Sequence, residues 1–342
     1  MFDLSTITTY LQNVYSNSLG SVHDPMSFLG IGPLFVAFAL AFVVLLVRMK
    51  KRAGGRPVRP FQVLRLLFPK RIFLHPSAKN DYKIFLINDG LLFFVTLSAI
   101  ITPALFAEVF VHAFEAVGII TGEADNSLLS KIGFTIVLLL AWDFGATYAH
   151  YLKHKVPMLW EFHKVHHSAE VMTPVTALRR HPVDYLFGAL VTTVTVGLTL
   201  IGWTLVVGRG IEAYTIFGVI AGIYLWRLLG YNLRHSHMWI SYGDFWNKIF
   251  ISPAQHQVHH STSVHHYDTN FGHIFSFWDA MLGTLYLPRH NERVKFGIEA
   301  HEMEQFQTLS GIYWGPFKKC AESLKVKAPP QEPEAKNPSV GS

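Results

Sequence analysis

The chain has 342 residues, of which 50% are hydrophobic and only 15% are charged. A soluble domain averages about 25% charged residues, so this composition favours a membrane protein. The single cysteine, Cys320, excludes a disulfide framework and a cysteine-held metal cluster, which leaves imidazole and carboxylate as metal ligands. The net charge of +6 comes from basic residues that stand beside apolar runs, which indicates a membrane surface and no nucleic-acid partner.

The first third of the chain predicts one membrane span and a basic loop. Residues 1–27 are polar and aromatic and lack a basic n-region and a cleavage site, so they are interpreted as an N-terminal segment and not as a signal peptide. An apolar run of membrane-spanning length follows from residue 28 to residue 47. Many basic residues then precede residue 82, which places this loop in the cytoplasm by the positive-inside rule. Residues 28–82 are therefore predicted to form the first membrane span and a cytoplasmic loop.

Further apolar runs predict four or five spans in total, at about residues 84–110, 128–149, 183–207 and 211–229. The 84–110 run could instead form two half-depth pieces, since Pro103 is expected to kink or end its helix. The tail from Ala328 onward is rich in Pro, Glu, Lys and Ser and is predicted to be disordered. We therefore predict an all-α fold: a transmembrane helical bundle with a cytosolic helical cap. The catalytic domain would cover residues 83–290 and a C-terminal cytoplasmic segment residues 291–342.

Histidines repeat at helical spacing in three places. Residues three or four positions apart lie on one face of a helix, and this spacing is shared by a pair, His150 and His154, and by two triplets, His163, His166 and His167, and His256, His259 and His260. The predicted topology puts all three groups on the cytoplasmic side. The groups can therefore converge.

The number of histidines favours a site for two metal ions. Imidazole suits Zn, Cu, Fe and Ni, and eight histidines exceed what one tetrahedral zinc ion requires. His181 and His235 could complete a dinuclear site, although each could equally be an ordinary histidine at the interface. His237 is a weaker candidate, because it lies two positions from His235 and cannot share its helix face.

Asp143 lies within a predicted span, seven residues before His150 and on the same helix face. An ionisable residue inside a membrane helix indicates a functional site. We predict that it accepts a hydrogen bond from a ligand imidazole and so orients it, the alternative being a carboxylate that serves helix packing. Asp268 and Asp279 are candidates for the same role at the third histidine group.

The histidine groups and the words around them resemble the three histidine boxes of the fatty acid hydroxylase/sterol desaturase superfamily, which comprises integral-membrane di-iron oxygenases. The resemblance covers roughly residues 82–288 and includes Trp160-Glu-Phe-His-Lys-Val-His-His-Ser168, Leu178-Arg-Arg-His-Pro182, Arg234-His-Ser-His237 and Trp278-Asp-Ala-Met-Leu-Gly-Thr284. It implies that the histidines of the three groups bind two iron ions, with His235 and provisionally His181 as additional ligands. The stretch that begins at Ser168 is most similar to bacterial sterol-desaturase-like proteins and to alkylglycerol monooxygenases.

The resemblance implies an oxidoreductase that activates O2 to hydroxylate or desaturate a sterol, fatty acyl or ether lipid at the cytoplasmic membrane interface. An apolar cavity between the spans would then select the carbon that is oxidised. The chain contains no dinucleotide or haem motif, so a partner such as ferredoxin, or cytochrome b5 with its reductase, is expected to supply electrons. The C-terminus lacks a dilysine retrieval signal, which favours a bacterial inner membrane over the endoplasmic reticulum.

Two other functions use the same residues. A membrane zinc hydrolase would need one metal ion and neither O2 nor a reductant, and the histidines alone would accept zinc in place of iron. A metal transporter would need ionisable ligands at mid-membrane depth in several spans, whereas only Asp143 is deep.

Overall fold

The computed structural model describes residues 30–54, 56–90, 102–120, 122–216, 219–289 and 292–324. The predicted N-terminal segment, the tail from Ala328 and the centre of the 84–110 run lie outside the described residues. The described part of the chain is mainly helical. Its α-helices are α1 (Ile31–Ala53), α2 (Pro60–Leu67), α3 (Lys70–Phe73), α4 (Pro76–Gly90), α5 (Pro103–Ala116), α6 (Leu128–Lys155), α7 (Pro157–His167), α8 (Pro182–Val207), α9 (Ala221–Trp226), α10 (Asn232–Arg234), α11 (Gly243–Trp246), α12 (Pro253–His259), α13 (Phe277–Leu282), α14 (Ala300–Met303) and α15 (Leu309–Leu324).

Three described helices, α1, α6 and α8, are long and apolar enough to cross a membrane, and together they support an integral membrane protein. The 28 residues of α6 extend over about 42 Å at 1.5 Å per residue, whereas the hydrocarbon core of a bilayer is about 30 Å thick. The last turns of α6, which carry His150 and His154, can therefore project beyond the hydrocarbon.

The described residues of the predicted fifth span, 211–229, are helical only in their second half. Thr215–Ile216 and Val219–Ile220 pair as two short antiparallel strands, and helical structure begins only at Ala221. The β-branched residues of this short apolar run favour strands, and hydrophobicity alone does not separate a buried strand from a helix. Pro103 also differs from its prediction. Pro103 is the first residue of α5. The N–H groups of a first helical turn have no partner within the helix, so the missing N–H of proline costs no hydrogen bond there.

The membrane helices have an apolar core separate from that of α4, α7 and α15, which together with α14 are called the cap below. Helix α8 packs most extensively against α6 and next against α5, and Phe134, Leu138 and Val196 form the centre of the α6–α8 contact. In the cap, Val165 of α7 packs with buried apolar residues of α4, α15 and the segment between α14 and α15. The histidine-bearing turns of α6 and α7 lie where these two layers meet.

Candidate metal centre

Prolines set the starting points of the helices that carry the histidines. Pro157, Pro182 and Pro253 are the first residues of α7, α8 and α12. The residue before a proline avoids helical dihedrals, so Val156 is extended and α6 ends immediately after His154 and Lys155. Helix α12 has a further signal in Ser252, which caps Gln255 in a reciprocal capping box. The local sequence therefore determines where each helix that carries histidines begins or ends.

The structure brings nine of the ten predicted ligand histidines together in two adjoining groups, whose ring nitrogens lie within 4.8 Å of one another inside each group. Group one contains His150, His154, His163, His167 and His259, and group two contains His166, His235, His256 and His260. Two imidazole nitrogens on opposite sides of one ion would be about 4 Å apart, at about 2 Å per metal–nitrogen bond. Each group therefore has the dimensions of one metal site.

Each triplet divides between the two groups, which the spacing alone did not predict. His163 and His167 enter group one while His166 enters group two, and His256 and His260 enter group two while His259 enters group one. In each triplet, the two histidines that lie four positions apart belong to the same group. The remaining one, His166 or His259, belongs to the other group. The rings of the two groups pack directly against each other, with the centroids of His167 and His260 4.4 Å apart.

In group one, the hydrogen bonds of three rings leave a lone pair available on the inner nitrogen. The Nδ1 atoms of His150 and His259 donate to the carbonyl oxygens of Phe271 and Thr269 at 2.9 and 2.8 Å, and His163 Nδ1 donates to Asp184 at 2.8 Å. These oxygens only accept, so the Nε2 atoms of the three rings are unprotonated. All five Nε2 atoms of group one are buried and have no hydrogen-bond partner. Such a set of unpaired lone pairs is costly and fits a metal ion.

In group two, neighbouring Nε2 atoms lie within hydrogen-bonding distance of each other. His235 Nε2 lies 3.1 Å from His166 Nε2 and 2.9 Å from His256 Nε2, which in turn lies 3.2 Å from His260 Nε2. His256 differs from the rings of group one, because Arg234 donates to its Nδ1 at 2.9 Å. Four imidazole nitrogens that converge in this way could also hold a metal ion.

The buried histidines outside the membrane helices are held in the neutral form. Burial lowers the pKa of His163 to about 3, although the adjacent Asp184 carboxylate acts in the opposite direction. Burial also holds the pKa values of all the other histidines contributed by α7 and α12, and of His235, well below the usual range. Neutral imidazole is the form that binds metals, so the histidines that α7 and α12 supply to group one require no deprotonation at pH 7. His256 differs, because the Nδ1 that accepts from Arg234 leaves the proton of the neutral ring on Nε2, and this proton would have to be released or shifted when a metal binds.

The prediction that Asp143 orients a ligand imidazole is wrong. Its carboxylate accepts from the backbone N–H groups of Ile274 and Phe275 at 2.6 and 3.0 Å and from Trp278 Nε1 at 2.9 Å. Asp279 similarly holds the backbone around Gly272. Both carboxylates therefore fix the loop that follows α12. Of the three predicted orienting carboxylates, only Asp268 faces an imidazole, that of His154 at 3.5 Å.

The provisional assignment of His181 as a metal ligand is also wrong. His181 caps the N-terminus of α8: its Nδ1 accepts from Val183 N at 3.1 Å, and its Nε2 donates to the carbonyl oxygen of Tyr313 at 3.0 Å. Both ring nitrogens are thus occupied outside the two groups. His237 likewise donates to the carbonyl oxygen of Leu66.

Replacing His181 with asparagine is expected to leave the metal content of the protein unchanged, because asparagine is an effective N-cap residue. The thermal midpoint of the metal-free protein should fall by only a few degrees, through loss of the contact with Tyr313. Metal analysis beside His166→Ala checks this expectation. Equal loss of metal in both variants would restore His181 as a ligand.

Sequence reasoning missed a buried ion pair behind group one. Asp184 Oδ1 lies 2.8 Å from His163 Nδ1 and 2.9 Å from Lys153 Nζ. The available signal was an aspartate in the first turn of α8, two positions after the His-Pro pair of the quoted resemblance, where a carboxylate suits a helix N-terminus.

Two cavities reach the histidines and share no lining residue. One, of about 270 Å³, is bordered by His154, His167 and His259 together with acidic residues of the cap. The other, of about 400 Å³, lies between α6 and α8 and is bordered by histidines of both groups. Its wall contains Lys153, Arg180, Arg227 and Arg234, so the predicted apolar cavity is in fact lined by several cationic side chains.

Comparison with known proteins agrees with the geometry. Residues 135–284, which carry all nine histidines, match the fatty acid hydroxylase family model. The chain is 32% identical to the ornithine lipid hydroxylase OlsE of Rhizobium tropici over 168 residues, which are 49% of this chain and 46% of that protein. It is 26% identical to the alkylglycerol monooxygenase of Xenopus tropicalis over 49% of this chain and 33% of that protein.

A longer match reaches the cholesterol 25-hydroxylase of Rattus norvegicus, at 27% identity over 70% of this chain and 76% of that protein. The chain thus spans less than half the length of the ornithine lipid hydroxylase and about a third of the alkylglycerol monooxygenase. No solved structure matches it. The family model, these relatives and the histidine pattern together make residues 135–284 similar to the fatty acid hydroxylase/sterol desaturase superfamily.

Proposed function

We propose that this protein is an O2-dependent lipid hydroxylase whose nine clustered histidines hold two iron ions. The observation that carries the proposal is the set of five buried Nε2 atoms in group one, each without a hydrogen-bond partner. Group two, immediately adjacent, would hold the second ion. Iron bound there would supply O2 activation, a reaction that amino-acid side chains do not perform.

Hydroxylation is preferred over desaturation because the similar proteins are named as hydroxylases and a monooxygenase. The reaction inserts one atom of O2 into a C–H bond of the lipid and reduces the other to water, which consumes two electrons and two protons. The described residues contain no second cofactor-binding motif, so ferredoxin or cytochrome b5 with its reductase would supply the electrons. The substrate would be a sterol, an acyl lipid or an ether lipid.

Other residues of the chain would orient the histidine rings and hold the lipid substrate. The carbonyl oxygens of Phe271 and Thr269 and the carboxylate of Asp184 fix the orientation of three rings, as outer contacts of metal-bound histidines commonly do. The cavity between α6 and α8 would hold the lipid against both groups and exclude water. We further propose that the end of α6 that carries the histidines faces the cytoplasm of a bacterial cell. The substrate would then enter from the inner membrane and the electrons from the cytosol.

Metal analysis of the full chain after anaerobic loading with ferrous iron tests the proposal. We expect about two iron ions per chain, together with O2 consumption that depends on both a reductant and an added lipid extract. A single zinc ion per chain and activity without O2 or reductant would contradict the proposal and favour a hydrolase. Comparing the lipids of a deletion strain with those of its parent then identifies the substrate, as one missing oxygenated species.

A further inference from the structure

The cavity between α6 and α8 carries an excess of positive charge. Its lining contains four cationic side chains, Lys153, Arg180, Arg227 and Arg234, against the single carboxylate of Asp184. Asp184 is already engaged with Lys153 at 2.9 Å. Since guanidinium groups do not lose their charge in proteins, the positive charges of Arg180 and Arg234 remain on the cavity wall.

We propose that this cavity binds an anionic lipid head group, a phosphate or a carboxylate, directly beside the histidine groups. The proposal rests on the proposed function and names the class of lipid that the site would oxidise. A cavity of about 400 Å³ is near the lower end of the range for ligand sites. It can accommodate a head group and the first carbons of a chain, which places the oxidised carbon near the head group.

Two consecutive arginines show that the charge of the cavity is not accounted for by internal pairing. Arg179 is fully buried and satisfied, with its guanidinium bonded to Asp81 at 2.8 Å and to Ser168 at 2.8 Å. Arg180 instead lies over the ring of Tyr185 and hydrogen-bonds to the side chain of Tyr231, and its buried Nε has no hydrogen-bond partner. Within the described residues no carboxylate forms an ion pair with Arg180. Asp184 acts on Arg180 only through space and is itself paired with Lys153. A buried charge without an ion-pair partner of its own is costly, so an anionic ligand would stabilise this arrangement.

Arg234 also lines the cavity and is likewise a buried arginine. It is 3% exposed, and its guanidinium donates to two carbonyl oxygens, of His273 at 2.7 Å and Gly272 at 3.2 Å, and to His256. All of these acceptors are neutral, and its buried Nε has no hydrogen-bond partner. Arginine forks favour phosphate and carboxylate oxygens. Arg180 and Arg234 therefore each bring a positive charge and a buried Nε without a hydrogen-bond partner to the same cavity.

The position of the cavity favours a lipid over a free anion. Its walls include Trp142 and Ala146 of α6 and Gly188 and Thr192 of α8, which are the two described helices of membrane-spanning character that pack together. The cavity therefore extends from the cationic residues into the layer where acyl chains would lie.

Calorimetric titration of the metal-free full chain in a neutral maltoside detergent tests the proposal. Two matched pairs of probes differ in charge: lysophosphatidic acid and monooleoylglycerol, and oleate and oleyl alcohol. We expect at least one anionic lipid to bind about tenfold or more tightly than its neutral partner. Arg180→Gln should abolish that preference and Arg180→Lys should keep most of it. The exposed Arg65→Gln, which removes the same charge outside the cavity, should leave it unchanged.

Equal affinities within both pairs would overturn the proposal, as would the same loss of preference in Arg65→Gln as in Arg180→Gln. Glycerol phosphate that binds as tightly as lysophosphatidic acid would also overturn it, since the ligand would then be a free anion. If Arg180→Gln does not fold, Arg234→Gln replaces it with the same expectation. The measurement uses no iron and no turnover, so it can fail while the proposed hydroxylase activity stands, and the reverse.

Discussion

Replacing His259 with alanine is expected to lower the metal content from about two ions per chain towards one and to reduce turnover by more than about 100-fold. Changes to the outer contacts of a metal site alone cost about 10- to 100-fold, and His259 is the only member of group one that α12 supplies. The metal-free variant should be at least as stable as the wild type, because a buried unpaired nitrogen is removed. Metal analysis and thermal unfolding with and without ferrous iron measure both effects.

His265→Ala is the matched control, since this histidine is six positions further along the chain and exposed. It should retain two metal ions and the gain in thermal stability that ligand binding to the folded state produces. Should His259→Ala keep both metal ions, or should the control lose one, the assignment of group one as a metal site would be incorrect.

Replacing Asp184 with asparagine is expected to destabilise the protein by about 3 kcal/mol, because it leaves Lys153 as a buried cation without its partner. Asparagine can still accept from His163 Nδ1, so the ring keeps its tautomer but loses the adjacent negative charge. Metal affinity should therefore fall by about 10- to 100-fold without complete loss of metal. Urea unfolding of the metal-free protein and competition with a chelator separate the two effects.

The double variant Asp184→Asn with Lys153→Met distinguishes the ion pair from the metal contact. Removing both charges should restore most of the lost stability, since replacing both partners of a buried pair is often neutral, while the weakened metal binding should persist. Recovery of stability and metal affinity together would mean that Asp184 acts only through Lys153. No recovery of either would mean that the carboxylate has a structural role unrelated to the pair.

Several features of this protein follow from local sequence. The apolar runs predicted the membrane helices that the described residues contain, and prolines at positions 157, 182 and 253 mark where α7, α8 and α12 begin. The i, i+3, i+4 spacing correctly predicted that the histidines lie on helices, because helical periodicity is a property of a few consecutive residues. At residues 211–229 the sequence pattern was ambiguous, because a short apolar run rich in β-branched residues is compatible with either a strand or a helix.

The sequence by itself determined the helical class, the membrane character and the set of histidines able to meet, since composition and spacing are local quantities. Only the tertiary structure decided how His163 and His166 divide between two groups, that Asp143 holds a loop, and that His181 caps a helix. It also decided that Asp184, 21 residues from His163, takes the orienting role. Contacts between distant residues depend on how whole helices pack, and no periodicity within a helix contains that information.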